Sequence, residues 1–448
     1  MQGFPITDNS PVSFTAHLPT EADVVVIGGG VIGVCTAHCL AEAGHSVVLL
    51  EKGRIAGEQS SRNWGWIRQQ GRDLAELPIM MEAIGRWQEL AAQTDVDIGL
   101  RQTGVSYLAA SHKQLARYAA WLDEAAAFGV DTTLLSARDT ARMFPGVTGK
   151  QEGALVTPSD MRAEPWLAVP ALAGIAKNAG VQIIENCAVR QLDLATGRVA
   201  GVITERGLIK TSSVVLAGGA WSSLFLRNHG ISIPQLSVRE NVLATGPLPE
   251  VHAGAAVTAR LAFRRRMDGG YTLAPSGVAE LFIGPDAFRA LPKYLPQLRA
   301  DPFGQTYLPA APAGFPDSWR TPRQWTGDSE TPFERMRVLN PEPNHRQLAR
   351  LLRDFAALYP DVPRPKIKTA WAGMIDTMPD VVPIVDHCAA IPGLVVGTGM
   401  SGHGFGIGPA LGRMLAALVT GAPVGHDLTA FRMERFADGS ARRRGTAL

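Results

Sequence analysis

Cysteine is scarce in this chain of 448 residues, with only Cys35, Cys39, Cys187 and Cys388 present. Four thiols cannot staple so long a chain, and their spacing gives neither a C-x-x-C pair nor a metal-ligand pattern. Cys35 and Cys39 fall on one helical stretch, where small apolar residues fill a core. Few cysteines and no N-terminal signal pattern point to a reducing, cytoplasmic setting. An excess of charge is also missing: 43 basic and 41 acidic side chains leave a net charge of +2. That near balance supplies no field for a nucleic-acid backbone. The short basic runs Arg264-Arg265-Arg266 and Arg442-Arg443-Arg444 read as a solvated face and a frayed end. No apolar run can span a bilayer, since the longest, from Ile391 to Thr420, is broken by glycines and carries His403 and Arg413. Small molecules remain as the expected partners.

The informative stretch runs from Val24 to Glu51. The apolar run Val24-Val25-Val26-Ile27 leads directly into Gly28-Gly29-Gly30-Val31-Ile32-Gly33, and a second run from Ser46 to Leu50 ends on Glu51. Strand, glycine turn, helix, strand and acid is the context that gives G-x-G-x-x-G its meaning as a dinucleotide fingerprint. Gly28 permits the tight turn, Gly30 lets a pyrophosphate approach the backbone, and Gly33 lets the helix lie close to the strand. The helix N-terminus then faces the pyrophosphate. Glu51 falls where a carboxylate accepts from the adenosine ribose and repels a 2′-phosphate, so the nucleotide is expected to be FAD or NAD.

Composition, at 46% hydrophobic and 19% charged, suits two closely packed domains. Met1 to Glu21 reads as a surface arm, and Lys52 to Gly71 as a long loop belonging to the site. Helical spacing marks Met80 to Ala92, Lys113 to Phe128, His345 to Leu358 and Pro409 to Val419, while Glu164-Pro165 opens a helix reaching Asn178 with a kink or late start at Pro170. Strands are expected over 181–184, 189–194, 199–204 and 213–216, the last running into Ala217-Gly218-Gly219-Ala220-Trp221. From Val238 to Gly284 alternation suggests antiparallel strands with one wet face. Pro285 to Pro343 holds eleven prolines, which predicts an extended loop and a candidate contact surface for an oligomer. A third strand, glycine turn and helix follows at Leu394 to Gly404, including Gly399-Met400-Ser401-Gly402-His403-Gly404.

Taken together, the fingerprint ending on Glu51, the Gly218-Gly219 turn and the turn near residue 400 resemble the FAD-dependent amine and amino-acid oxidoreductases that include D-amino-acid oxidase and dehydrogenase, glycine oxidase and sarcosine oxidase. The resemblance covers nearly the whole chain. It implies an α/β fold: a Rossmann-like FAD-binding domain assembled from discontinuous segments (1–75, 151–225 and 365–448), with a second α+β substrate domain built on an antiparallel sheet (76–150 and 226–364). The cofactor set it implies is Gly28, Gly30, Val31, Ile32, Gly33, Glu51, Lys52, Ser60, Ser61, Arg62, Asn63, Trp64, Val189, Gly218, Gly219, Trp221, Gly373, Gly399, Gly402, His403 and Gly404. Backbone N–H groups around Gly402 to Gly406, with a helix dipole behind them, would stabilise charge at the pyrimidine end of a reduced flavin.

Two departures from the sarcosine oxidase pattern matter. Gly373 stands about where a flavin-linking cysteine would lie, so the flavin is expected to be non-covalent. Gly406 replaces a carboxylate-binding lysine, which argues against sarcosine itself as substrate. Arg68 lies where the family places an arginine for the substrate carboxylate, a partner that a guanidinium fork suits; the alternative is a surface arginine after a turn. Tyr271 and Trp371 are candidates for the pocket wall, against ordinary core packing. His403, between two glycines, is a candidate at the flavin, against a ring in solvent.

The implied chemistry is oxidation of an amine or amino acid to an imine by hydride transfer to flavin N5, followed by hydrolysis to a keto acid or aldehyde. No carboxylate dyad, triad or metal cluster stands out, and none is required if the protein's work is positioning and exclusion of water. The acceptor is O2 or a quinone or other carrier; Glu280 to Gly284 offers no lysine of the kind oxygen-using relatives place near N5. Two rivals remain: an NAD-dependent dehydrogenase, and a non-catalytic protein on a flavoprotein scaffold.

Overall fold

The computed structural model describes residues 4–440 other than Val278 and Phe303; the run Arg442-Arg443-Arg444 lies outside the described residues. The short β-branched run Val24–Ile27 is buried and occupies the middle of a six-stranded sheet. On one side it pairs with Val47–Leu50 and then Gln182–Ile184; on the other with Ser213–Leu216, Leu394–Thr398 and Ile384–His387. All of these pairings are parallel except the last. Near-continuous apolar strands are what a parallel sheet covered on both faces demands. The helices Val31–Glu42, Pro165–Asn178 and Gly404–Thr420 cover one face, joined in one apolar core with Val24, Val26 and Leu49.

A ten-stranded sheet forms the second layer, in the order 305–308, 279–282, 236–245, 271–275, 261–265, 255–257, 105–109, 153–157 and 133–136, with Ile367–Thr377 also paired to Leu236–Thr245. It is antiparallel except for two pairs, 255–257 with 105–109 and 279–282 with 305–308. Gly153–Thr157 and Ile367–Thr377 therefore hydrogen-bond into this sheet, although boundaries at 151 and 365 would group them with the nucleotide sheet.

Several expectations are corrected. The segment after Pro285 is not all loop, because Pro285–Ala300 is a helix with Pro292 and Pro296 inside it. Proline at the first helical position costs nothing, and the two interior prolines are borne by a helix with only a few buried residues. Alternation over 238–284 does not leave one wet face: Leu261–Arg265 and Tyr271–Pro275 are almost wholly buried, because Leu348, Leu351 and Phe355 of the helix His345–Leu358 cover them. Arg264 and Arg266 are buried as well, each paired with an acid, Glu164 and Asp268 respectively. The C-terminal helix begins at Gly404, so Pro409 lies inside it and not at its start. The N-terminal arm is anchored, with Ile6 buried and its carbonyl accepting from Arg62. Within 52–71, the short helix Gln59–Arg62 and strand Trp66–Ile67 give the loop regular pieces.

Candidate functional site

Each glycine turn stands at the carboxyl end of a strand of the six-stranded sheet, and the three open on one cavity of ≈ 380 Å³. Gly28 leaves its strand at φ +111°, and a Cβ there would stand 2.3 Å from the Ala217 carbonyl oxygen, so only glycine fits. Behind it the helix Val31–Glu42 starts at Gly30, which lends no side chain to its N-terminus. Unpaired amides at such an end attract an anion. Ser60 Oγ accepts from the Val31 amide at 2.9 Å and so fixes the loop 59–62 over the turn.

Glu51 is a half-buried rim of the same cavity. Its carboxylate accepts from the Gly29 and Gly53 amides, both at 2.7 Å. Burial pushes its pKa up to about 7, against the pull of Lys52 and those two amides. Nearby, Glu58 gathers Lys52 Nζ, Trp221 Nε1 and the Leu339 amide on one carboxylate. The ammonium of Lys52 also lies 4.4 Å over the Trp221 ring. Arg62 lines the cavity, but its donors go to Asn340, Ala372, Ile6 and Gly57. Burial lowers its pKa to about 10.

A hinge of unusual tightness presents the two tryptophans. Gly65, at φ +78°, would bring a Cβ to 2.4 Å from the Ala163 carbonyl. Asn63 accepts from the Gly65 amide, and Arg264, bidentate on Glu164, donates to the Trp64 carbonyl. Trp64 and Trp66 then face the cavity in edge contact, 5.3 Å between centroids.

Beyond them lies a basic corner. Arg68, Arg72 and His403 all line the cavity. Arg68 donates to the Gln70 carbonyl and sits 5.6 Å over the Tyr107 ring. Arg72 is almost fully buried; its Nε donates to the Arg68 carbonyl, while its Nη1 has no partner. Burial, and then Arg68, lower its pKa to about 10, still cationic at neutral pH. Opposite, His403 Nδ1 meets Glu76 Oε2 at 2.9 Å. Burial and the two arginines hold His403 down at about 4; against its own desolvation, Glu76 is kept below the usual carboxylate range by the hydrogen bond from His403 and by Arg72 and Arg68. The pair is thus a neutral imidazole donating from Nδ1 to a carboxylate. The C-terminal turn is tied down by Asp376, which accepts from the Gly399 and Met400 amides at 2.7 and 3.3 Å. The helix that starts there, Gly404–Thr420, also has no side-chain cap.

Of the expected site residues, Gly28, Gly30, Val31, Ile32, Glu51, Lys52, Ser60, Arg62, Asn63, Trp64, Arg68, Val189, Gly218, Gly219, Trp221, Gly373, Gly402, His403 and Gly404 border this cavity. Others do not. Tyr271 is fully buried in the core under His345–Leu358, where its hydroxyl accepts from the Val251 amide. Trp371 packs behind the wall and donates to the Arg62 carbonyl. Ser61 is buried and accepts from the Ile6 amide. Gly399 serves Asp376, and Gly33 lies under the turn, where a Cβ would be 2.0 Å from the Gly28 carbonyl oxygen. At Gly406 a Cβ would stand 3.3 Å from the Trp66 carbonyl oxygen and the Ile67 Cα, so any side chain there requires its neighbours to give by a few tenths of an ångström. Residues that the sequence reading missed are Glu58, Arg72, Glu76, Glu240 and Asp376; the four-residue spacing Arg68, Arg72, Glu76 was the available signal. Two helix N-termini whose own N-cap residues lend no side-chain bond, a carboxylate beside the first and guanidinium beside the second suit an elongated dinucleotide with an anionic substrate beyond it.

A family model described as FAD dependent oxidoreductase matches residues 23–418. The mitochondrial sarcosine dehydrogenase of Homo sapiens is 31% identical over 275 residues, which is 58% of this chain and 30% of that protein. The chain therefore spans about a third of the length of that relative. A D-amino acid dehydrogenase of Methylobacterium is 25% identical over 455 residues, covering 89% of this chain and 95% of that one. Among solved structures, the L-amino acid deaminase from Proteus myxofaciens in complex with anthranilate superposes with a TM-score of 0.90 at 30% identity, covering 96% of this chain and 97% of that chain.

Proposed function

Because the chain belongs to the FAD dependent oxidoreductase family, which matches residues 23–418, we propose that it oxidises the C–N bond of a small amine-bearing carboxylate, an amino acid or close analogue, to an imine that water hydrolyses. The chain is an FAD-dependent enzyme of the amino-acid and amine oxidoreductase class. The observation that carries the finer reading is the convergence of Arg68, Arg72 and His403 on the cavity that the three glycine turns border.

In this reading Gly30, Val31 and Ile32 hold the pyrophosphate, Glu51 the ribose, and Gly402 to Gly404 the pyrimidine end of the flavin. When bound, the flavin supplies the two-electron oxidant. Arg68 and Arg72 take the substrate carboxylate; charge-assisted bonds of this kind contribute about 1.5–3 kcal/mol each. His403, kept neutral and oriented by Glu76, adds a polar contact without a competing charge. Trp64, Trp66 and Phe405 exclude water from the reacting carbon. Gly373 presents no thiol, so no thioether to the flavin forms at this position.

Electron delivery to a quinone or another carrier fits better than to oxygen. Lys52 is the lysine that borders the cavity among the described residues, and it is committed to Glu58 and two carbonyls. The decisive experiment loads the protein with FAD and screens D- and L-amino acids, N-methyl and cyclic imino acids for anaerobic bleaching of the flavin's visible band. Bleaching by at least one of them is expected; a fully loaded flavin that no amine bleaches would leave a non-catalytic protein. Mixing the reduced protein with air then separates the acceptors, since rapid reoxidation would mark an oxidase.

A further inference from the structure

The strand Leu236–Thr245 carries three consecutive polar residues, and alternation sends them to opposite faces. Arg239 and Asn241 both bond Glu280 of the adjacent strand, Arg239 Nε at 2.8 Å and Asn241 Nδ2 at 3.0 Å. Glu240 between them therefore points the other way, and it borders the cavity together with Val242, Gly373 and Ile375. Its cross-strand partner is Gly373, which offers no side chain to meet it. Glu240 Oε2 is buried and has no hydrogen-bond partner. A buried carboxylate without a donor or counter-ion is costly unless a ligand supplies one.

The surrounding charges do not supply it. Glu280 repels Glu240 from the neighbouring strand, and Arg239 is spent on Glu280. On the paired strand Asp376 is another acid, bound to the Gly399 and Met400 amides. Arg62, on the short helix behind Gly373, donates to protein oxygens. From the helix His345–Leu358, the neutral Gln347 reaches Asn241. Arg68, Arg72 and His403 border the same cavity, but Glu76 is the partner of His403, and the one charge that acts on Glu240 is Glu280. The cavity thus has a basic corner suited to a carboxylate and, separately, a lone acid suited to a cation.

We propose that Glu240 receives the substrate's ammonium group and accepts its proton, so that the amine is neutral when its carbon is oxidised; this rests on the amine-oxidation reading above. The step balances simply: R–NH3+ and the Glu240 carboxylate become R–NH2 and the Glu240 carboxylic acid, and the proton later leaves to solvent. Burial, and then Glu280, push the Glu240 pKa up to about 8, which matches it to that exchange near neutral pH.

The test is stopped-flow anaerobic bleaching of the FAD-loaded protein across pH 6–10 (roughly the span over which an amine loses its proton), with wild type, Glu240→Gln and Glu240→Asp. The probe is whichever of D- or L-alanine, D- or L-proline or N-methylglycine bleaches the wild type fastest. Glu240→Gln is expected to bleach about 10²-fold more slowly at pH 7 and to regain rate as rising pH supplies free amine. Glu240→Asp should keep the wild-type pH dependence at a reduced rate. Acetate affinity, read from the shift of the flavin band, should be unchanged. A Gln variant with the wild-type pH profile would overturn the proposal. So would a flavin band or midpoint potential that moves without any substrate, since Glu240 would then face the flavin. If no probe bleaches the wild type, the functional reading falls first and this inference with it.

Discussion

Glu76 and His403, 327 positions apart in the chain, are joined by a 2.9 Å contact between a carboxylate oxygen and Nδ1, and through it Glu76 holds a ring that lines the cavity. Glu76 belongs to the turn before the helix Leu77–Ala91, and His403 is the N-cap of Gly404–Thr420. Replacing the acid therefore leaves a buried imidazole N–H without its acceptor. Glu76→Ala is expected to cost about 1–3 kcal/mol, measured as a fall in the urea midpoint of the flavin-free protein. An unchanged midpoint would mean that the contact contributes nothing.

Acid should unfold the protein by a related route. Burial holds His229, His252 and His403 at about 4, each from an ordinary 6.5. Their folded pKa values are depressed, so they stay neutral in the native state while the unfolded chain takes up protons. Stability from this source is fully present above pH 6.5 and is lost as pH falls towards 4. Urea midpoints measured through that window should decline steadily; a flat profile would count against neutral burial.

The two arginines of the basic corner should act on affinity more than on turnover. Arg68→Ala and Arg72→Met each remove one guanidinium from a site with unspent donors. Each should raise KM by roughly 10- to 100-fold while the flavin content stays that of the wild type. Steady-state kinetics with unchanged KM would remove that residue from substrate binding.

Much of the nucleotide sheet was legible because its signals are local: an apolar run, a glycine turn, a helix and an acid within 24–51, repeated in part near 216 and 398. The substrate side was less legible for a physical reason. Tyr271 and Trp371 have the residue type of a pocket wall, yet a strand side chain can face either layer, and one-residue alternation does not say which layer holds the ligand. Burial of the Arg264 run depended on Glu164, a hundred residues away, and no window of sequence contains both. Arg72 and Glu76 escaped notice because their roles exist only once Gly404–Thr420 packs on Leu77–Ala91 and brings His403 to them. The helix at Pro285–Ala300 was hidden by its own prolines.

The correction at Tyr271 is itself testable. Its hydroxyl serves the Val251 amide and stands outside the cavity. Tyr271→Phe should lower stability by about 1 kcal/mol and leave kcat/KM with the best amine unchanged. A tenfold loss of kcat/KM at wild-type flavin content would return Tyr271 to the site.

Glu51 should make FAD affinity depend on pH. Without cofactor its pKa stands at about 7, because burial outweighs Lys52 and the Gly29 and Gly53 amides. Ribose hydroxyls donate, so they favour the carboxylate over the acid, and binding must draw the proton off whenever pH lies below that value. Each unit of acidification below 7 should then weaken FAD binding by up to about tenfold, while above pH 7 the affinity levels off. In Glu51→Gln the side-chain amide cannot titrate, so binding should be weaker throughout and lose this slope. Fluorescence titration of the flavin-free protein with FAD between pH 5.5 and 8.5 (about 1.5 units either side of the group's midpoint) measures both. Parallel curves for the two proteins would detach Glu51 from the ribose.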